Sequence, residues 1–115
     1  MGNKATNLTN AVMLDISSLG CVVWKNPRGF DKERKVTYGT GPNGAADLIG
    51  YRRVLITDDM VGKTLAQFMA VEIKAGGDRK KENQADYIST VNSHGGIAGF
   101  VACPEDAVML VKSKF

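Results

Sequence analysis

Two charged side chains, Glu72 and Lys74, stand two residues apart at the end of the apolar segment 68–74. The segment contains β-branched residues and is followed by Ala-Gly-Gly, which predicts a short buried strand that ends there. Side chains alternate between the faces of a strand, so Glu72 and Lys74 share one face. Charges so placed pair with each other, bind a metal or take part in catalysis. A plain ion pair that reaches solvent is the simpler alternative.

A second carboxylate, Asp47, lies in another short apolar run, 44–50, between glycines. Aspartate is depleted in strands and costly in a core, and flanking glycines let a backbone or a ligand approach closely. Asp47 either caps N–H groups in a turn before a strand or pairs with Glu72 across neighbouring strands. In the second case, two carboxylates beside a lysine would suit Mg²⁺, which prefers oxygen ligands.

Length and composition place limits on the fold and on the partners. With 115 residues, 43% of them hydrophobic and 23% charged, the chain is expected to form one globular domain, 1–115. A net charge of +3 is compatible with a nucleic-acid partner but does not indicate one by itself. No apolar run spans a bilayer and no signal peptide is visible, so a cytoplasmic protein without a membrane partner is expected.

The two cysteines, Cys21 and Cys103, lie in apolar surroundings and are predicted to be reduced and buried. Two isolated cysteines and a single histidine do not form a zinc site.

Periodicity and turn residues predict the elements that position the charged side chains. The predicted helices cover residues 7–19, 78–93 and 104–112, and the predicted strands cover residues 21–25, 46–49, 51–56, 68–74 and 97–102. Thr6 or Asn7 is the expected N-cap of the first helix and Asp78 that of the second. This order predicts an α/β fold with a mixed central β-sheet flanked by helices, and a right-handed crossover between the last two strands.

The second predicted helix contributes one polar residue to its inner face. Gln84, Tyr87, Ile88 and Val91 are spaced by three and four residues and therefore share a face. Gln84 lies one turn before the apolar part, which places it near the end of the Glu72 strand. It either supports a site there or is an ordinary glutamine at the edge of the core.

Asp47 followed by Glu72-Ile73-Lys74 resembles the D…(D/E)xK pattern of restriction-endonuclease-like nucleases. A wider set of segments resembles, in order and spacing, the stand-alone phage-type VRR-NUC domain (virus-type replication-repair nuclease). These segments are residues 44–50, 60–63, 70–74, Gln84 and 95–99. The resemblance covers the chain from about residue 5 to about residue 111 and implies a restriction-endonuclease-like core.

The resemblance also implies a mechanism and partners. Asp47, Glu72 and the backbone carbonyl of Ile73 would hold Mg²⁺ or Mn²⁺, which activates a water molecule. Lys74 would position that water or stabilise charge that develops on the phosphate, and Gln84 would support this arrangement. Members of the family are homodimers that cut branched DNA such as four-way junctions, which here implies a phage protein acting in a bacterial host cell.

Two basic segments are candidate contacts for DNA phosphates. Lys25, Asn26 and Arg28 lie in a turn where the family commonly has a basic residue and an asparagine. The second segment, Arg79-Lys80-Lys81, precedes the second helix and flanks the predicted site. An ordinary solvated turn is the alternative for the first segment.

The chain departs from the family pattern near Ala5, where the family usually has a glutamate at the start of the first helix. No acidic residue occurs between Met1 and Val12. A structured-DNA-binding module without catalysis therefore remains an alternative. A restriction-like or single-strand nuclease and an α/β domain whose charges merely pair are two further alternatives.

Overall fold

A computed structural model describes residues 4–27, 29–39, 41 and 44–113 of the chain. The helices are α1 (Lys4–Ser17), α2 (Glu82–Ser93) and α3 (Pro104–Lys112), and a short 3₁₀ helix covers Asp58–Met60. The strands are β1 (Cys21–Lys25), β2 (Gly29–Asp31), β3 (Val36–Tyr38), β4 (Leu48–Arg52), β5 (Met69–Ile73) and β6 (Ile97–Val101).

These elements confirm the predicted α/β composition. The strands of the described residues pair two by two, as β1–β4, β2–β3 and β5–β6, so the single mixed sheet that was predicted is not seen among them. Contacts divide the chain into two compact units, residues 1–54 and 55–115. One domain over residues 1–115 stays a prediction.

The first unit begins with α1, which starts and ends earlier than predicted. Thr6 and Asn7, the predicted N-caps, lie inside the helix because it already begins at Lys4. The helix ends at Ser17, and Gly20 closes the turn with its N–H on the Ser17 carbonyl at 3.0 Å. Gly20 adopts a φ of +86°, which favours glycine and explains why the helix stops there.

The antiparallel pair β1–β4 forms the centre of the first unit. Gly50 lies opposite Val23, and a Cβ atom on Gly50 would collide with the Val22 carbonyl, so the close approach of the strands requires glycine. The predicted strand 46–49 begins two residues later than expected. Asp47 consequently lies in the bend before β4 and not within the strand.

The β2–β3 hairpin occupies a stretch for which no helix or strand was predicted. The Asp31 carboxylate accepts the backbone N–H groups of Glu33 and Arg34 at 3.0 and 3.1 Å, which closes the connection. Lys35 supplies the left-handed conformation with a φ of 55°. An aspartate that binds the N–H groups two and three residues later was the local signal for this turn.

The second unit is built on β5, α2 and β6. The two strands are parallel and α2 connects them, as predicted, while the handedness of the crossover stays a prediction. Ile88, Val91 and Ala98 form the buried core, and Phe68, Ala70 and Phe100 pack against it. Val91 is the most deeply buried of these, with 1% of its surface exposed.

Side chains of β5 alternate as the sequence predicts, but only one face of the strand is covered. Ala70 and Glu72 are half-buried, whereas Met69 and Ile73 are 54% and 68% exposed. Within the second unit the strand is therefore buried mainly on one face, and α2 contacts β5 there.

The start of α2 differs from the prediction and its end agrees with it. Asp78 is not the N-cap, because its carboxylate accepts the N–H of Ala75 at 3.0 Å and closes its own turn. The helix begins at Glu82 and ends at Ser93, just before Gly95, whose φ is +94°. The predicted end of the helix at residue 93 is thus confirmed, and glycine favours such a stop.

The start of α3 agrees with the prediction. Pro104 occupies its first turn, and the Asp106 carboxylate accepts the N–H of Ala102 at 3.0 Å. Both cysteines carry free thiols, but their predicted burial is wrong. Cys103 is exposed as the N-cap residue of α3 and Cys21 is only half-buried. The helices of the described residues all fall short of what crossing a membrane requires.

We expect Gly96→Ala to destabilise the second unit. A Cβ atom at this buried position would lie 2.7 Å from Val91 Cγ1 and 2.9 Å from the Phe68 carbonyl. Overpacking of this kind costs about 1–3 kcal/mol in the free energy of unfolding, measured by urea denaturation. Gly76→Ala is the matched control, because a Cβ there meets nothing within 4 Å. Equal stability of the two variants would contradict the packing described for Gly96.

Candidate functional site in the second unit

The carboxylate of Glu72 is the centre of a polar cluster. Gln84 donates a hydrogen bond from Nε2 to Glu72 Oε1 at 2.8 Å. The Lys74 ammonium lies 3.8 Å from the same oxygen. The Lys74 side chain is only 14% exposed and that of Glu72 is 37% exposed. A charged pair that is partly removed from water interacts more strongly than one on an open surface.

The amide of Gln84 is held at both of its ends. Its Nε2 donates to Glu72, while its Oε1 accepts the backbone N–H of Lys81 at 3.3 Å. Lys81 is the N-cap residue of α2, so this contact satisfies one of the N–H groups left open at a helix start. Only one orientation of the amide serves a carboxylate and an N–H together, so the network fixes it.

Strand and helix periodicity explain why these side chains meet. Glu72 and Lys74 are two residues apart and point towards the covered face of β5. Gln84 lies one helical turn before buried Ile88 and therefore points to the same layer. Lys74 follows the last residue of β5, and its N–H still bonds the Val101 carbonyl at 2.9 Å. Its backbone is thus fixed by the sheet.

Phe100 is a neighbour of this cluster that sequence reasoning placed only in a buried strand. It lies opposite Glu72 in the parallel register of β5 and β6. The Lys74 ammonium is 6.0 Å from the centre of its ring, and the Lys80 ammonium is 5.0 Å from it. Both distances are within the range of cation–π attraction. The register across β5 and β6 was the missing information, and no local pattern supplies it.

A cavity of about 350 Å³ opens beside the cluster. Side chains of β5 and α2 line it, among them Glu72 and Gln84, together with the ring of Tyr87. Its volume is at the lower end of the range of small-molecule sites. The carboxylate therefore borders a concave surface large enough for part of a ligand.

Asp47 belongs to the first unit, where its side chain is exposed. Its backbone carbonyl accepts the N–H of Asn26 at 2.8 Å. Glu72 and Lys74 belong to the second unit. Among the described residues, no group of three or more His, Cys, Asp or Glu side chains gathers as a metal site would. The pairing of Asp47 with Glu72 stays a prediction.

Asn26, a candidate contact for a DNA phosphate, is buried in the first unit. It is 5% exposed, and its Nδ2 donates to the Ala46 carbonyl at 3.0 Å. The side chain therefore fixes the stretch before β4 and is removed from the surface. Lys25 is exposed at the end of β1, and Arg28 lies outside the described residues.

The other predicted site residues lie around the cluster or at the start of α1. Arg79, Lys80 and Lys81 are exposed in the stretch that leads into α2. Ile73 is the last residue of β5, directly before Lys74. Ala5 lies in the first turn of α1, and its carbonyl accepts the Thr9 hydroxyl at 2.8 Å.

The chain was compared with known families, proteins and structures. The chain matches no family model, no curated protein and no solved structure at a significant level.

We expect the Glu72–Lys74 pair to contribute more to stability than the Asp31–Arg34 pair. Both pairs have an N–O distance of 3.8 Å, but Lys74 is 14% exposed and Arg34 is 83% exposed. Double-mutant cycles with alanine should give a coupling of about 1 kcal/mol for the first pair and about 0.3 kcal/mol for the second. Equal coupling energies would mean that burial of Lys74 does not strengthen its contact.

Proposed function

We propose that the protein is a metal-dependent endonuclease that hydrolyses phosphodiester bonds in DNA, with branched DNA as its substrate. The observation that carries the proposal is the shared contact of Gln84 and Lys74 with one oxygen of Glu72. These are the side chains to which the VRR-NUC resemblance assigns the site. A mostly buried lysine and an oriented amide meet at one carboxylate beside a concave surface, which supports a binding site over an ordinary surface pair.

The donor groups suit a hard divalent cation. Among the described residues, Gln84 and Lys74 both contact Oε1 of Glu72, and we assign Oε2 to the cation. The resemblance assigns Asp47 and the Ile73 carbonyl to the same ion as further oxygen donors, and Mg²⁺ and Mn²⁺ prefer such ligands. When bound, the ion polarises the scissile phosphate and lowers the pKa of a coordinated water.

The remaining side chains act on the substrate and on the carboxylate. Lys74 holds a positive charge in a place with little water, where it stabilises charge on a phosphate more than an exposed lysine would. Gln84 fixes the orientation of the Glu72 carboxylate through its own bond to the start of α2. Both roles need preformed geometry, and each contact is made within the second unit.

The basic residues and the oligomeric state complete the proposal. Arg79, Lys80 and Lys81 are exposed in the stretch that leads into α2 and would bind the DNA backbone, as would Lys25. A homodimer would carry two copies of the site, one for each of two strands in a four-way junction.

A module that binds structured DNA without cutting it is the second candidate. One observation favours it: the first turn of α1 contains no acidic residue, and Ala5 lies there. An active site with one carboxylate fewer would hold a divalent cation more weakly.

We expect the protein to cut a labelled four-way DNA junction with Mg²⁺ or Mn²⁺. Glu72→Gln and Lys74→Met should each lower the single-turnover rate about 100-fold or more, because they remove a charge that acts in the transition state. Lys112→Met is the matched control, since Lys112 is exposed at the end of α3. Cleavage rates are read from denaturing gels beside flap and linear substrates.

The outcomes separate the two candidates. Junction binding without cleavage, followed by cleavage in Ala5→Glu, would identify a nuclease disabled at one ligand. Binding without cleavage in both proteins would favour the binding module. Cleavage that survives Lys74→Met would contradict the site proposed here.

A further inference from the structure

We propose that Phe100 is a positioning residue whose ring holds the ammonium groups of Lys74 and Lys80 together as a cradle for one phosphate group. The identity of that phosphate as part of a DNA backbone rests on the proposed function. The contact of the ring with the two lysines does not depend on the proposed function.

The fold brings both lysines to the ring of Phe100. Phe100 lies opposite Glu72 on the neighbouring parallel strand, so its side chain is on the same covered face. Lys74 reaches the ring from the end of β5, and Lys80 reaches it from the stretch before α2. Three separate segments of the second unit therefore meet at one ring.

The ring compensates Lys74 for lost hydration. The side chain is 14% exposed, and its contact with Glu72 Oε1 at 3.8 Å is longer than a hydrogen bond. Much of that side chain has lost contact with water, and the negative face of an aromatic ring stabilises its charge further. Cation–π attraction grows as a cation loses hydration. A leucine would fill the space without this attraction.

Lys80 gives the cluster an excess of positive charge. Its side chain starts from an exposed position, yet its ammonium lies 5.0 Å from the ring centre. Two ammonium groups then lie beside one ring, and the carboxylate of Glu72 contacts the first of them, that of Lys74. A group of this net charge attracts an anion, and lysine is a common ligand of phosphate. Phe100 thus links an exposed lysine to the lysine of the proposed active site.

The contact of the Phe100 ring with Lys74 is tested by chemical labelling of lysines in the full chain without DNA. Acetylation rates are measured by mass spectrometry in the unchanged protein, Phe100→Leu and Phe100→Tyr. We expect Lys74 to react about 5- to 30-fold faster in Phe100→Leu and at its original rate in Phe100→Tyr, which keeps the ring. Lys63 and Lys112 are exposed internal controls and should not change.

Unchanged labelling of Lys74 in a folded Phe100→Leu protein would overturn the proposal. If Phe100→Leu does not fold, Phe100→Met replaces it as an unbranched side chain without a ring. A rise in labelling at Lys63 and Lys112 as well would indicate general unfolding and contradict a specific role. An unchanged labelling rate of Lys74 in Phe100→Tyr would show that the aromatic ring, and not the filled space alone, slows the reaction.

The cradle is tested with inorganic phosphate as the probe. Phosphate should protect Lys74 and Lys80 from acetylation over the same concentration range, and Lys80→Met should remove the protection of Lys74. Protection of neither lysine, or of Lys74 alone, would overturn the cradle. These labelling measurements do not require DNA cleavage. Absence of cleavage would therefore count against the proposed function, while the labelling rates alone decide whether the cradle exists.

Discussion

The second unit depends on how the carboxylate of Glu72 is satisfied. The residue comes from a strand whose covered face is otherwise apolar, where an unpaired charge would be costly. Gln84 from α2 and Lys74 from the end of β5 both contact the carboxylate and so offset that cost. Helix and strand must therefore stay in one relative position. Gly96 permits this position, because its missing side chain lets the chain after α2 pass close to Phe68.

Those parts of the structure that follow from local pattern could be predicted from the sequence. Alternation along β5 put Glu72 and Lys74 on one face, and helical spacing put Gln84 on the face of Ile88. The stop of α2 before Gly95 follows from the conformational freedom of glycine. The start of α2 was mispredicted because Asp78 is a good N-cap by type but binds the N–H of Ala75 instead. Two local hydrogen-bonding choices competed there, and residue type alone does not decide between them.

Features that depend on pairing between distant segments could not be predicted. Phe100 looked like any aromatic residue of a buried strand until the register placed it opposite Glu72. Asn26 looked like a turn residue in contact with solvent until β1–β4 pairing buried its amide against Ala46. In both cases the missing information was which backbone segment lies beside the residue in the folded chain. A one-residue change of register would have reversed the faces.

The double attachment of Gln84 has a consequence for the dynamics of the chain. The same amide satisfies the start of α2 and orients the carboxylate of Glu72. First turns of helices open far more often than the whole molecule unfolds. Each such opening at Lys81 frees the Gln84 amide and removes one contact of the carboxylate, while Lys74 still contacts it and the core around Val91 stays closed. The full set of contacts around Glu72 therefore lasts only while the first turn of α2 stays closed. That time can be much shorter than the lifetime of the folded state.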